Sequence, residues 1–99
     1  MRDNVENLFK SKIEVLSREF PTLIKAPGIF PWNANILDSW AASDAPSSGQ
    51  QYAATFILNV WDPSFDWKSG KFEVVKALSV WDEVHREAFL KWATNPWWP

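Results

Sequence analysis

Residues 50–61 run Gln50-Gln51-Tyr52-Ala53-Ala54-Thr55-Phe56-Ile57-Leu58-Asn59-Val60-Trp61, and the reading of this stretch decides the fold. At about 100° per residue, Ala53, Ala54, Phe56, Ile57, Leu58, Val60 and Trp61 cover about 200° of a helical circumference. Only Gln51, Thr55 and Asn59 form a narrow polar strip. A helix apolar on most sides is a central one, flanked by neighbours. The competing reading is a strand over Thr55 to Trp61, because Phe-Ile-Leu-Asn-Val-Trp carries strand-prone residues. Ser48 followed three residues later by Gln51 is a capping-box pattern and opens the helical reading. Asp62-Pro63 ends the segment.

Two further helices are expected around this one. Toward the N-terminus, Val5, Leu8, Phe9, Ile13, Leu16 and Phe20 recur at spacings of three and four, which line one helical face, while Lys10, Glu14 and Ser17 fall away from it. Asp3 with Glu6 can cap the start, and Pro21 closes the helix near Phe20, giving a helix over about residues 4–20. Toward the C-terminus, Val74, Ala77, Leu78, Trp81, Val84, His85, Ala88, Phe89 and Trp92 fall within an arc of about 140°. The spacing predicts one continuous helix over about residues 72–94, with Lys76, Glu83, Glu87 and Lys91 on its far side.

The intervening segments are less regular. Pro21, Pro27 and Pro31 break residues 21–34, and Pro27-Gly28 is a turn signal. Leu23, Ile24, Ile29, Phe30 and Trp32 make this loop apolar enough to lie across the core. A short helix over about residues 35–43 places Ile36, Leu37, Trp40 and Ala41 on one side. Phe65 and Trp67 are expected to cover the core from the loop after Trp61. Pro96-Trp97-Trp98-Pro99 reads as an extended tail. The expected architecture is all-α: a small single-domain bundle of three to four helices with a proline-rich loop.

Composition narrows the function. Ten Lys plus Arg against twelve Asp plus Glu give a net charge of −2, and the closest approach to a basic cluster is Lys10 with Lys12. Nucleic-acid binding relies on neutralising phosphates, so a nucleic-acid-associated regulator is the third-ranked reading. The chain has no cysteine, which removes disulfides, thiolate metal sites and thiol nucleophiles and fits a reducing compartment. Acidic residues at 3, 6, 14 and 19 argue against a secretory signal, and no apolar stretch reaches the length of a membrane span. A cytoplasmic protein without membrane association or a cofactor is the expectation.

The second half of the chain carries a resemblance. Ser47-Ser48-Gly49 before an apolar helix, then Trp81-Asp82, His85-Arg86 and Ala88-Phe89, then Pro96-Trp97-Trp98-Pro99, resemble a group of small uncharacterised bacterial proteins. The resemblance covers roughly residues 47–99. It implies a bacterial source and brings no activity, cofactor or structure with it.

His85 is the only histidine. With Asp82 three residues before it and Arg86 beside it, it defines the candidate polar site. A carboxylate-oriented imidazole can act as general base or metal ligand, or be a buried histidine satisfied by Asp82 and packed on Trp81 or Phe89. One carboxylate-x-x-His pair is half of a bundle metal site, so a bridged metal requires a second copy. No serine stands in a nucleophile-elbow context.

The tryptophans supply the candidate interaction surface. Trp40, Trp61, Trp81 and Trp92 belong to apolar faces. Trp97 and Trp98 lie outside the helices and either clamp the fold or meet a partner, because indoles are enriched at binding hot spots. Phe72, Val75 and Leu90 lie off the last helix's stripe and are expected to face an unknown protein partner or a second copy in a homodimer. The leading expectation is a non-enzymatic interaction module acting as adaptor, inhibitor or accessory subunit. The alternative is a ligand-binding, metal-binding or enzymatic domain with Asp82 and His85 in a pocket.

Overall fold

A computed structural model describes the backbone of residues 2–99 and the side-chain environments of residues 8–99. Among the described residues five α-helices follow one another: α1 (Arg2–Arg18), α2 (Ala34–Ala41), α3 (Ser48–Trp61), α4 (Val74–Val80) and α5 (Glu83–Thr94), with a 3-10 turn at Pro21–Leu23. No strand occurs among the described residues, so residues 55–61 are helical. The radius of gyration, 12.6 Å, is that of a compact globule of this length (about 13 Å).

α3 is the hub. It packs against α1, the 3-10 turn, α2 and α4, and Ala53 through Leu58 are all buried. Its polar strip faces neighbours rather than water. Gln51 Nε2 donates to the Ala41 carbonyl at 3.0 Å, and Asn59 Nδ2 reaches the carbonyls of Thr55 and Gly70. The capping box is one residue earlier than the sequence pattern suggested. Ser47 Oγ accepts from the Gln50 N–H, and Gln50 Oε1 accepts from the Ser47 N–H.

The expected helix over 72–94 is two helices. Trp81 and Asp82 adopt extended backbone, with ψ of 144° and 179°. Asp82 caps α5 by accepting from the His85 N–H at 2.9 Å, while the Trp81 indole donates to the Gly49 carbonyl at 3.0 Å. A short acidic side chain that satisfies an orphan N–H favours starting a helix over continuing one. The helix count therefore rises to five, and Val74 and Val84 of the predicted stripe are exposed.

Other expectations shift for local reasons. Asp3, Val5 and Glu6 lie outside the residues whose side chains are described. Leu8 is exposed, whereas Ser17 is buried with its hydroxyl donating to the Ile13 carbonyl. Ile36 is exposed and Asp38 is buried in its place. The Asp38 carboxylate accepts from the N–H groups of Lys68 and Ser69 and from the Ser69 hydroxyl, which fixes the α3–α4 loop on α2. In the proline-rich loop Leu23, Ile29 and Trp32 reach the core, while Ile24 and Phe30 face out. Gly28 has φ of +83°, and a Cβ there would come within 2.6 Å of the Asn33 carbonyl and the Leu37 nitrogen. Trp67 is buried in the later loop, whereas Phe65 is exposed against it.

Candidate functional site

The polar site forms where α5 begins. Asp82 sits at the N-cap with its side chain 67% exposed, and His85, one turn later, is 4% exposed. His85 Nδ1 lies 2.7 Å from Asp82 Oδ1, and its Nε2 lies 2.8 Å from Thr22 Oγ1 in the 3-10 turn. A carboxylate can only accept, so Nδ1 carries a proton; in the neutral imidazole Nε2 then accepts from the Thr22 hydroxyl. The backbone N–H of His85, then its ring, hold the Asp82 carboxyl below the ordinary carboxylate value of 3.8. The imidazole packs edge-on against Phe20 and tilted beside Trp81. Phe89 meets Phe56, Phe72 and Trp81 instead. Arg86 is exposed.

The chain Asp82–His85–Thr22 has the order required to activate a hydroxyl. It also closes the fold, because the ring joins α5 to a turn 63 residues earlier in sequence. Both ring nitrogens are committed to internal bonds. Among the described residues no group of three or more His, Cys, Asp or Glu side chains could hold a metal ion. The half-site expected for a bridged metal is a helix cap, so its carboxylate is already accepting two bonds from His85.

The aromatic residues divide differently from the expectation. Trp32, Trp67 and Trp81 are buried, whereas Trp40, Trp61 and Trp92 are half-buried. Phe72 is half-buried. It stacks on Trp81 at 5.7 Å and meets Phe56 and Phe89. Val75 and Leu90 do face outward, at 78% and 54% exposed.

Residues 95–99 lie back on α5. The Trp92 indole donates to the Trp97 carbonyl at 3.1 Å, and Lys12 of α1 places its ammonium 4.3 Å from the Trp97 ring. Trp97 is half-buried; Trp98 stands edge-on to Trp92 at 5.3 Å and is 51% exposed.

This segment is a wall shared by two apolar grooves. The larger, about 520 Å³, runs between α1 and the end of α5, with Val15, Leu16, Trp92 and Trp97 in its lining and Lys12, Glu19 and Lys91 beside them. The smaller, about 300 Å³, lies on the other side, with Phe72, Phe89, Trp92 and Trp98 in its lining. Lys91 and Glu19 pair across the larger groove at 3.1 Å. Thr22, His85 and Asp82 line neither.

Thr22 and the α1 side of the larger groove are functional candidates that the sequence reading missed. Thr22 carried no local signal, and Val15 falls just off the α1 stripe. Lys12 was visible only as half of a basic pair. No helix among the described residues is long and apolar enough to cross a membrane. No protein-family model, curated protein or solved structure matches the chain.

Proposed function

We propose that this chain is a non-enzymatic protein-interaction module of the bacterial cytoplasm, and that the groove between α1 and residues 95–99 is its contact surface. One observation carries the reading: the larger groove is apolar, aromatic-walled and open, while the sole histidine is spent on internal bonds elsewhere. Its volume of about 520 Å³ falls within the range of about 300–1,000 Å³ of clefts that bury a drug-sized group. Trp92 and Trp97 are the rigid indoles that such anchors favour.

The experiment places a photo-crosslinking benzoylphenylalanine at Val15, in the groove, or at Val75, on α4, and irradiates each in host lysate. Any captured protein is then purified and its affinity measured against the wild type and Val15→Lys. At least about tenfold weaker binding by Val15→Lys, with unchanged helical circular dichroism, supports the groove. Capture from Val75 alone moves the surface to the α4 side and overturns the assignment.

A second reading rests on the 2.8 and 2.7 Å links of Thr22, His85 and Asp82. It makes Thr22 a nucleophile with His85 as base. A fluorophosphonate adduct found at Thr22 by peptide mass mapping, and lost in His85→Gln, would favour an enzyme. No adduct at high probe concentration leaves the polar chain a staple.

A further inference from the structure

We infer that the larger groove receives an acidic apolar peptide segment, with one aromatic or branched side chain seated on the indoles and a flanking carboxylate met by Lys12 and Lys91. The inference rests on the interaction-module reading and adds the chemistry of the partner.

Charge complementarity carries it. The whole chain has a net charge of −2, yet among the described residues this groove is lined by two lysines against one glutamate. The next acid along α1, Glu14, is turned away: its carboxylate accepts from the Trp32 N–H at 2.9 Å. Both ammonium groups are held beside the apolar floor, Lys12 over the Trp97 ring and Lys91 against Glu19. The Lys91 side chain is largely exposed, and an exposed ion pair of this kind is weak, so Lys91 can exchange partners at little cost. A basic segment would meet two like charges and a single acid. An uncharged one would leave Lys91 on Glu19 and offer the Lys12 ammonium no anion. The pair Lys10 and Lys12, the closest approach of two basic residues in the sequence, thus has one member on this rim.

The test titrates isotope-labelled full chain with the blocked peptide acetyl-Ser-Glu-Leu-Phe-Glu-Ser-amide and with its glutamine counterpart. The indole N–H signals of Trp92 and Trp97 report the site by nuclear magnetic resonance. We expect the acidic peptide to shift both signals and to bind at least about fivefold tighter than the glutamine peptide at low salt. The preference should largely vanish at 1 M salt, where the Debye length falls to about 3 Å. The double variant Lys12→Glu/Lys91→Glu should reverse it and favour a lysine counterpart of the same peptide.

Equal affinity for the acidic and glutamine peptides, with the same signals moving, overturns the charge assignment and leaves the groove standing as a contact surface. An unchanged preference in the double variant overturns it as well. Shifts confined to signals outside the groove, or no binding by any of the peptides, overturn the inference; the Val15 crosslinking result then decides separately whether the groove binds a protein.

Discussion

α3 and the α4–α5 stretch are both apolar runs with helical periodicity, yet one is a single helix and the other is broken. In α3 the cap stands at the start, where Ser47 and Gln50 satisfy each other's backbone, and the later polar side chains Thr55 and Asn59 donate to carbonyls of the helix without taking one of its N–H groups. In residues 74–94 a second capping residue, Asp82, stands in the middle. Its carboxylate takes the His85 N–H, and the preceding Trp81 is anchored to Gly49 of α3. Periodicity reports which face is buried; it does not report whether the ladder is continuous. A capping side chain backed by one buried indole is enough to restart the helix.

The contrast is sharpened first where burial is deepest. Phe56 touches Phe20 just after α1, Phe72 just before α4, and Phe89 and Trp92 of α5. Phe56→Ala should cost about 3–5 kcal/mol by equilibrium denaturation, much of the stability of a domain this size. A loss below about 1.5 kcal/mol would mean that α3 is not the element on which the others depend.

The broken region has its own tie. His85→Ala removes the ring that joins Thr22 to Asp82 and opens space beside Phe20 and Trp81. The expected loss is about 1–3 kcal/mol. Because the ring fastens the start of α5 to the turn after α1, amide exchange should rise together at residues 20–24 and 83–86. A rise at one site alone would show that the histidine does not couple the two.

The caps themselves differ in register. Ser47→Ala should cost about 1 kcal/mol, whereas Ser48→Ala should stay within about 0.5 kcal/mol. The reverse order would restore the capping box to Ser48 and Gln51. This one-residue ambiguity illustrates what the sequence could convey. Spacing was sufficient for the helical class, the central position of residues 50–61 and the burial of Ile13, Leu16 and Phe20. It was insufficient wherever a polar side chain found a distant partner. Asp38 is buried because Lys68 and Ser69 present their N–H groups to it, and Thr22 meets His85 across the fold. Trp97 illustrates the same limit, since its place in a groove wall depends on Lys12 and Trp92 rather than on its own neighbours. Of the candidate site, the Asp82–His85 pair was readable from local spacing, whereas its third member and the groove were not.

The smallest effect tests the break by charge alone. Asp82→Asn keeps an oxygen at the cap and loses only the ionisable carboxyl. Bonds from the His85 backbone and ring hold the Asp82 carboxyl below its ordinary value of 3.8 in the folded chain. A carboxyl with a depressed folded value binds protons more readily when unfolded, so its contribution is fully present above the unfolded value. That contribution is lost as pH falls through the folded value. The wild type should therefore melt slightly above Asp82→Asn at and above about pH 5, and the gap should close only below the usual carboxylate range. Ser47 does not titrate, so a Ser47→Ala gap should not share this acid dependence. If the Asp82→Asn gap widens on acidification, or the Ser47→Ala gap follows the same curve, charge at the α5 cap is not what distinguishes the broken region from α3.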